Sequence, residues 1–232
     1  MSDKKVIVVT GASRGLGQYI AQQALATGYE VIGAARSAGE GQGYPIFACD
    51  VSDADAVKSF ASSVQKQAGK NLYGVINSAG VAAMNLAVTT PTATVRKVID
   101  INLIGSIFMC QKFSTLLMRR KNGRIINFST IAVPLALSGE SVYVASKAGI
   151  EGFTRTFARE ISGFGLTANC IAPGPIDTDL IAGVSDKSIN KIIDRQVVKK
   201  KGTKADIWNI VDILLDEKSN MISGQTINVG GV

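Results

Sequence analysis

VIVVTGASRGLGQYIAQQALA, residues 6–26, divides into three pieces with different physics. Val6 to Thr10 is an unbroken β-branched run, the pattern of a strand covered on both faces rather than one. Gly11, Gly15 and Gly17 follow in a Gly-x3-Gly-x-Gly arrangement, and a helical pattern over 15–27 comes next. Glycines in such a turn admit backbone conformations closed to other residues and let an anionic group reach the main chain. The following helix presents its positive end there. Strand, glycine turn and helix in that order predict a nucleotide pyrophosphate site, whereas the glycines alone would fit any tight turn.

The same alternation continues outward. Runs rich in Val and Ile predict strands over 4–10, 30–35, 45–48, 72–77, 123–129, 166–172 and 225–229. Helical patterns fall near 15–27, 54–68, 92–120, 142–162 and 205–215, and TKAD (203–206) has the form of a capping box opening the last. Neither repeats nor low-complexity linkers interrupt the chain, so one domain over 1–232 is expected. Alternating strands and helices predict an α/β fold: a doubly wound parallel sheet of about seven strands in a three-layer αβα sandwich. Ligands of such sheets bind beyond the carboxyl ends of the strands, so function is expected in the loop after each strand.

After the second strand, a fold that prefers NAD would carry an Asp or Glu for the ribose 2′-hydroxyl. Here the segment reads GAARS, with Arg36 its only charged residue. With Arg14 or Ser13 of the glycine loop, Arg36 would hold a 2′-phosphate, which favours NADP over NAD. Asp50 and Val51 follow the third predicted strand and would border the adenine. Asn77, then Ala79 and Gly80, follow the fourth and let backbone lie against a cofactor.

Composition removes several chemistries. The chain contains no histidine, which excludes Ser-His-Asp and Cys-His catalysis and most zinc sites. Proton transfer falls to other side chains, Tyr and Lys among them. Cys49, Cys110 and Cys170 are scattered and odd in number, which predicts reduced thiols, no metal cluster and a cytoplasmic location. No apolar run is long enough to cross a bilayer, and the first ends at once in the glycine turn, unlike a secretory leader. The net charge of +7 gathers in RRKNGR (119–124) and in 191–204. It suits solubility or an acidic partner. Nucleic acid is not expected, because aromatics are only 6% and no recognition motif is present.

SVYVASKAG (141–149) sets Tyr143 and Lys147 one helical turn apart among small residues. A solvated face would carry more charge, and a core stripe would not carry a lysine. At this point the motifs together resemble those of the short-chain dehydrogenase/reductase family: TGASRGLG (10–17), NSAG (77–80), Asn102 in IDINLIG, STIA (129–132), YVASK (143–147), PGPIDT (173–178) and INVGG (227–231). The resemblance runs from end to end. It implies a Rossmann-type, nicotinamide-dependent oxidoreductase with an Asn, Ser, Tyr, Lys active-site set.

By that resemblance, Tyr143 exchanges a proton with the substrate oxygen and Lys147 holds the nicotinamide ribose. A free phenol titrates at about 10, and a nearby ammonium would lower that value. Asn102 would hold a water linking Lys147 to solvent. The carbonyl-polarising hydroxyl falls at Thr130, where the family usually has serine, with Ser129 beside it as the alternative. Gly11, Ser13, Arg14, Gly15, Leu16, Gly17, Pro173, Gly174, Ile176 and Thr178 complete the implied cofactor contacts. The segment 180–200, with Leu180, Ile181, Val184, Ile189, Ile192 and Ile193 on its apolar side, is the implied substrate lid.

Within the family the chain is most similar to reductases of 3-oxoacyl thioesters on acyl carrier protein. That implies NADP(H) as cofactor and an acidic carrier docking on Arg119, Arg120 and Lys121 near the active-site mouth. A small ketone, quinone or sugar remains open as substrate, as does a non-catalytic NADP-binding sensor. Family members are mostly homotetramers, or else homodimers, packing the helices over 92–120 and 142–162, with Ala145, Gly149, Gly152 and Phe153 suited to close contact.

Overall fold

The computed structural model describes residues 4–178 and 183–232. Among these, the strands are Val6–Thr10 (β1), Glu30–Ala35 (β2), Gly39–Gly41 (β3), Tyr44–Ala48 (β4), Leu72–Asn77 (β5), Gly123–Phe128 (β6), Leu166–Pro173 (β7) and Thr226–Val229 (β8). They form one sheet in the order β3-β4-β2-β1-β5-β6-β7-β8. Every neighbouring pair is parallel except β3 with β4. The seven strands expected from sequence are present. β3 is additional: Gly39, Glu40 and Gly41 carry no strand signature, and pairing in a hairpin with β4 makes them one.

Helices Gly15–Ala26 (α1) and Lys204–Leu215 (α8) cover one face of the sheet; Ala54–Ala68 (α2), Gly105–Leu117 (α4) and Ser141–Ile161 (α6) cover the other. β1 shows the consequence of burial on both sides. Ile7 and Val9 pack into the core with α1 and Trp208, while Val6 and Val8 pack into the opposite core with Phe60, Phe113 and Phe157. This is the period-two alternation of a strand, with both faces apolar. The Thr203 and Asp206 capping box forms as expected and starts α8.

The helix expected over 92–120 is interrupted. Thr92–Ile99 (α3) passes through a π turn, Asp100–Ile104, into α4. Gly105, at the junction, lies so near the loop after β4 that a Cβ would meet Val51 atoms at 2.9 Å. Two further helices lack a sequence signature: Ala132–Leu135 (α5) and Asp186–Ile193 (α7). α7 lies within the segment read as a lid; Leu180 and Ile181 lie outside the described residues.

Candidate active site

β1 is flanked by β2 on one side and β5 on the other, so the strand order reverses there. Crevices at such switch points are where doubly wound sheets take ligands. Two loops meet at this one. Gly11 is left-handed, φ +67°, and a Cβ on it would meet the backbone of Ala79 at 3.1 Å. Ala79 N–H in turn donates to Thr10 Oγ1 at 3.0 Å. Gly17 packs α1 onto the turn: a Cβ would lie 2.4 Å from Gly11 O. Gly15 is also left-handed, φ +62°, but nothing lies within 4 Å of where its Cβ would be. That unfilled space at the amino end of α1, whose first N–H groups lack helical partners, fits the pyrophosphate of a dinucleotide.

Ser13, Arg14 and Arg36 lie along the same edge, and Leu16 is half-buried against the core with α1. Asp50 stands at the carboxyl end of the neighbouring strand. Bonds from Ser52 Oγ and N (2.6 and 3.0 Å), aided by the field of Arg36, hold its carboxyl below the usual range. Val51 is buried under Gly105. The side chain of Asn77 does not face the crevice. It is turned into the sheet, where Nδ2 donates to Asn127 Oδ1 at 2.8 Å. Only its backbone is left to border a ligand.

α6 carries the second half of the site. Tyr143 and Lys147 are both buried, at 8% and 6% exposure, unusual for a lysine. Lys147 Nζ donates to Phe128 O at 2.8 Å and lies 5.9 Å from the Tyr143 ring centre. It sits under Gly80, where a Cβ would stand 3.6 Å from Nζ. Asn102, in the π turn, staples the loop after β5 to α6. Its Oδ1 accepts from Val81 N (2.8 Å), and its Nδ2 donates to Val81 O (2.9 Å) and Ser146 Oγ (3.1 Å).

The two hydroxyls after β6 part company. The Thr130 hydroxyl lies near enough to the Tyr143 phenol to favour its ionised form, and it accepts from Ala132 N at 3.2 Å. Ser129 is buried and donates instead to Glu151 Oε1, one turn beyond Lys147 on α6. Of the two, Thr130 stands beside the tyrosine.

The electrostatics correct one expectation. Burial, reinforced by Glu140 three residues upstream, pushes the Tyr143 phenol well above its ordinary value, and the Thr130 bond alone pulls the other way. Lys147 Nζ is directed at the Phe128 carbonyl, and burial pushes its ammonium down, to about 8. Glu140 and Glu151 are the side chains that sequence reasoning missed. Glu151 was legible in principle, as the next position on the Tyr143 and Lys147 stripe.

At the end of β7, Gly174 makes room for Gln196, whose Oε1 would lie 2.1 Å from a Cβ there, and its N–H donates to Val229 O at 3.1 Å. Pro173 O accepts from Ile131 N at 3.1 Å, which ties the loop after β6 to this edge. Ile176 is buried and bridges to Gly202, Asp177 pairs with Lys201, and Thr178 is half-buried. The basic cluster at 119–121 is not at the site mouth. It precedes β6 and so lies at the amino edge of a parallel sheet, where Arg120 donates to Lys70 O ahead of β5. The basic stretch at 191–204 does lie on the carboxyl side, through Lys201 and Gly202.

The three cysteines are buried and unpaired, and burial pushes the Cys49 thiol up to about 11. Among the described residues no helix is long and apolar enough to cross a membrane.

Comparison with known proteins agrees with this geometry. The family profile described as Enoyl-(Acyl carrier protein) reductase matches residues 11–231. The 3-oxoacyl-[acyl-carrier-protein] reductase FabG of Staphylococcus aureus is 36% identical, across 100% of this chain and 98% of its own. The 3-oxoacyl-[acyl-carrier-protein] reductase MabA of Mycobacterium tuberculosis is 33% identical, across 97% and 91%. Among solved structures, the aldohexose dehydrogenase of Thermoplasma acidophilum superposes with a TM-score of 0.88 at 27% identity, covering 98% of this chain and 93% of that one.

Proposed function

Because the chain belongs to the short-chain dehydrogenase/reductase family, nicotinamide-dependent oxidoreductases of CH–OH and C=O groups, we propose that it is an NADPH-dependent reductase of a 3-oxoacyl thioester on acyl carrier protein. The observation that carries the reading is the Thr130 and Tyr143 hydroxyl pair, with buried Lys147 behind it, beside the open glycine turn.

A bound nicotinamide dinucleotide supplies hydride to the substrate carbon. The chain's residues do the rest. Thr130 and Tyr143 donate hydrogen bonds to the carbonyl oxygen, and Tyr143 delivers its proton as negative charge builds there. A phenol whose ionised form is disfavoured by burial is held protonated, the form a reduction needs. Lys147 binds the ribose hydroxyls, and Asn102 fixes the loop above it. Ser13, Arg14, Gly15 and Leu16 hold the pyrophosphate side. Arg36, with no carboxylate at the end of β2, selects the 2′-phosphate. Ile176 and Thr178 orient the nicotinamide, and the described part of the lid segment, 183–200, covers the acyl chain.

The substrate assignment is supported by the two reductases that this chain matches over nearly their whole length. The acidic carrier meets the basic stretch 191–204 rather than 119–121. The aldohexose dehydrogenase keeps a sugar as the second reading. The unpaired thiols support a cytoplasmic location. A homotetramer would use the exposed Ala145 and Gly152 of α6; Gly149 is already filled inside the chain by Leu103.

The deciding assay is NADPH oxidation with a 3-oxoacyl carrier against free ketones and aldoses. The proposal expects the carrier substrate to have the highest kcat/KM; faster turnover of an aldose or a free ketone refutes it.

A further inference from the structure

Three contacts tie the end of β6 to a single stripe of α6. Thr130 stands at the Tyr143 phenol, the Phe128 carbonyl takes Lys147 Nζ, and Ser129 Oγ donates to Glu151 Oε1. Tyr143, Lys147 and Glu151 follow one another at single-turn intervals, so their side chains stack along one face of the helix. The first two have roles in the proposed reaction. The third has none, yet it spends a carboxylate on one buried serine hydroxyl.

Ser129 and Thr130 are adjacent at the strand's end, where consecutive side chains point to opposite sides. Fixing one fixes the other. With its proton given to Glu151, and its oxygen 3.5 Å from Lys147 O, the Ser129 hydroxyl is turned into the protein. Thr130 is then left as the hydroxyl at the phenol, although serine is the smaller and less restricted donor.

We propose that Glu151 is a positioning residue: by holding Ser129 it sets the turn after β6 so that Thr130, and not Ser129, meets Tyr143 and the substrate carbonyl. This rests on the reductase reading for its kinetic consequence, but its structural consequence does not. The bond, rather than the negative charge, is the operative feature, so a glutamine able to accept from Ser129 replaces the glutamate.

The test compares Glu151→Ala, Glu151→Gln, Ser129→Ala, Thr130→Ala and the Ser129→Ala/Glu151→Ala double variant in the full chain, together with a crystal structure of Glu151→Ala. Thr130→Ala is expected to lower kcat about a hundredfold or more, the loss of a donor to the developing oxyanion. Glu151→Ala lowers it about tenfold through misplacement, with KM for NADPH unchanged. Glu151→Gln stays within about threefold of the parent, and the double variant is no worse than Glu151→Ala alone, the signature of one shared contact. In the crystal structure Ser129 leaves its place and the Thr130 hydroxyl moves away from the Tyr143 phenol.

If Glu151→Ala keeps Thr130 at the Tyr143 phenol and turns over like the parent, the inference is overturned. It also fails if Ser129→Ala costs as much as Thr130→Ala, or if Glu151→Gln is as slow as Glu151→Ala. Should Glu151→Ala not fold, Ser129→Ala removes the same bond from its other end, and its structure reads the same distance. The crystallographic readout needs no substrate, so a wrong substrate assignment leaves this outcome intact.

Discussion

Replacing Gly17 with alanine tests whether the glycine turn is built as described. The added methyl would stand 2.4 Å from Gly11 O, 2.8 Å from Gly11 C and 3.0 Å from Thr10 O. These are backbone atoms, so no rotamer change relieves the clash. α1 must lift away from β1, and it carries Ile20, Ala21 and Ala24, all fully buried. Overpacking of this kind costs about 1–3 kcal/mol, and an obstacle made of backbone puts it at the upper end. The better helix propensity of alanine returns about 1 kcal/mol. The net expectation is a loss of about 2 kcal/mol, from the upper end of that range less the gain in propensity.

Gly15→Ala is the control. Its backbone is left-handed, φ +62°, which costs an alanine about 1–2 kcal/mol, but nothing obstructs the methyl. Urea unfolding of both variants measures stability, and quenching or enhancement of NADPH fluorescence measures binding. Gly17→Ala should unfold at clearly lower urea with the parental m-value. Gly15→Ala should stay nearer the parent in stability yet bind NADPH much more weakly, because its methyl fills the space assigned to the pyrophosphate. Gly17→Ala as stable as the parent would refute the close packing of helix on turn; Gly15→Ala with parental affinity would refute the placement of the cofactor.

Three further outcomes are expected. Arg36→Asp should weaken NADPH binding at least about tenfold while NADH binding is unchanged or improved, measured by fluorescence titration, since a bidentate guanidinium is exchanged for a repelling carboxylate. Lys147→Met should raise the stability of the cofactor-free protein at neutral pH. Burial takes the ammonium from 10.5 to about 8, so protonating it in the fold costs up to about 3 kcal/mol. The unfolded chain binds more protons than the native one between those values, so parental stability climbs from pH 8 to 10.5 and the advantage of methionine shrinks over the same window. Denaturant midpoints of both proteins across that range check the sign. Removing the acidic neighbour by Glu140→Gln should lower the pH at which the Tyr143 phenol ionises, since Glu140 adds to burial in holding it up; the difference in phenolate absorbance between this variant and one also lacking Tyr143 reports it.

Much of this architecture was legible before any coordinates. Strands covered on both faces announce themselves as short runs containing Val and Ile, unbroken in β1 and centred on Val75–Ile76 in β5 and Ile125–Ile126 in β6. The cap at Thr203 was readable because capping chemistry is local. What escaped was set by tertiary contact. Gly39–Gly41 becomes a strand only by pairing with β4. The helix over 92–120 breaks into a π turn where Asn102 must face Val81, a demand made by another loop. The true place of the 119–121 cluster was within reach of sequence, since residues preceding a parallel strand lie at the edge opposite the ligand.

At the site, spacing singled out Tyr143 and Lys147 as a pair but could not say which group Lys147 Nζ meets. That group is the Phe128 carbonyl, and it has no side-chain signature. The contact between Ser129 and Glu151 spans 22 positions, and no local pattern encodes it.

The central claim is that the Tyr143 phenol hands its proton to a carbonyl while a nicotinamide delivers hydride. Single-turnover oxidation of bound NADPH by a 3-oxoacyl carrier, comparing the parent with Tyr143→Phe at equal occupancy, measures that step alone. The account predicts a rate at least about a hundredfold slower in the variant with NADPH affinity unchanged; equal rates in the two proteins would contradict it.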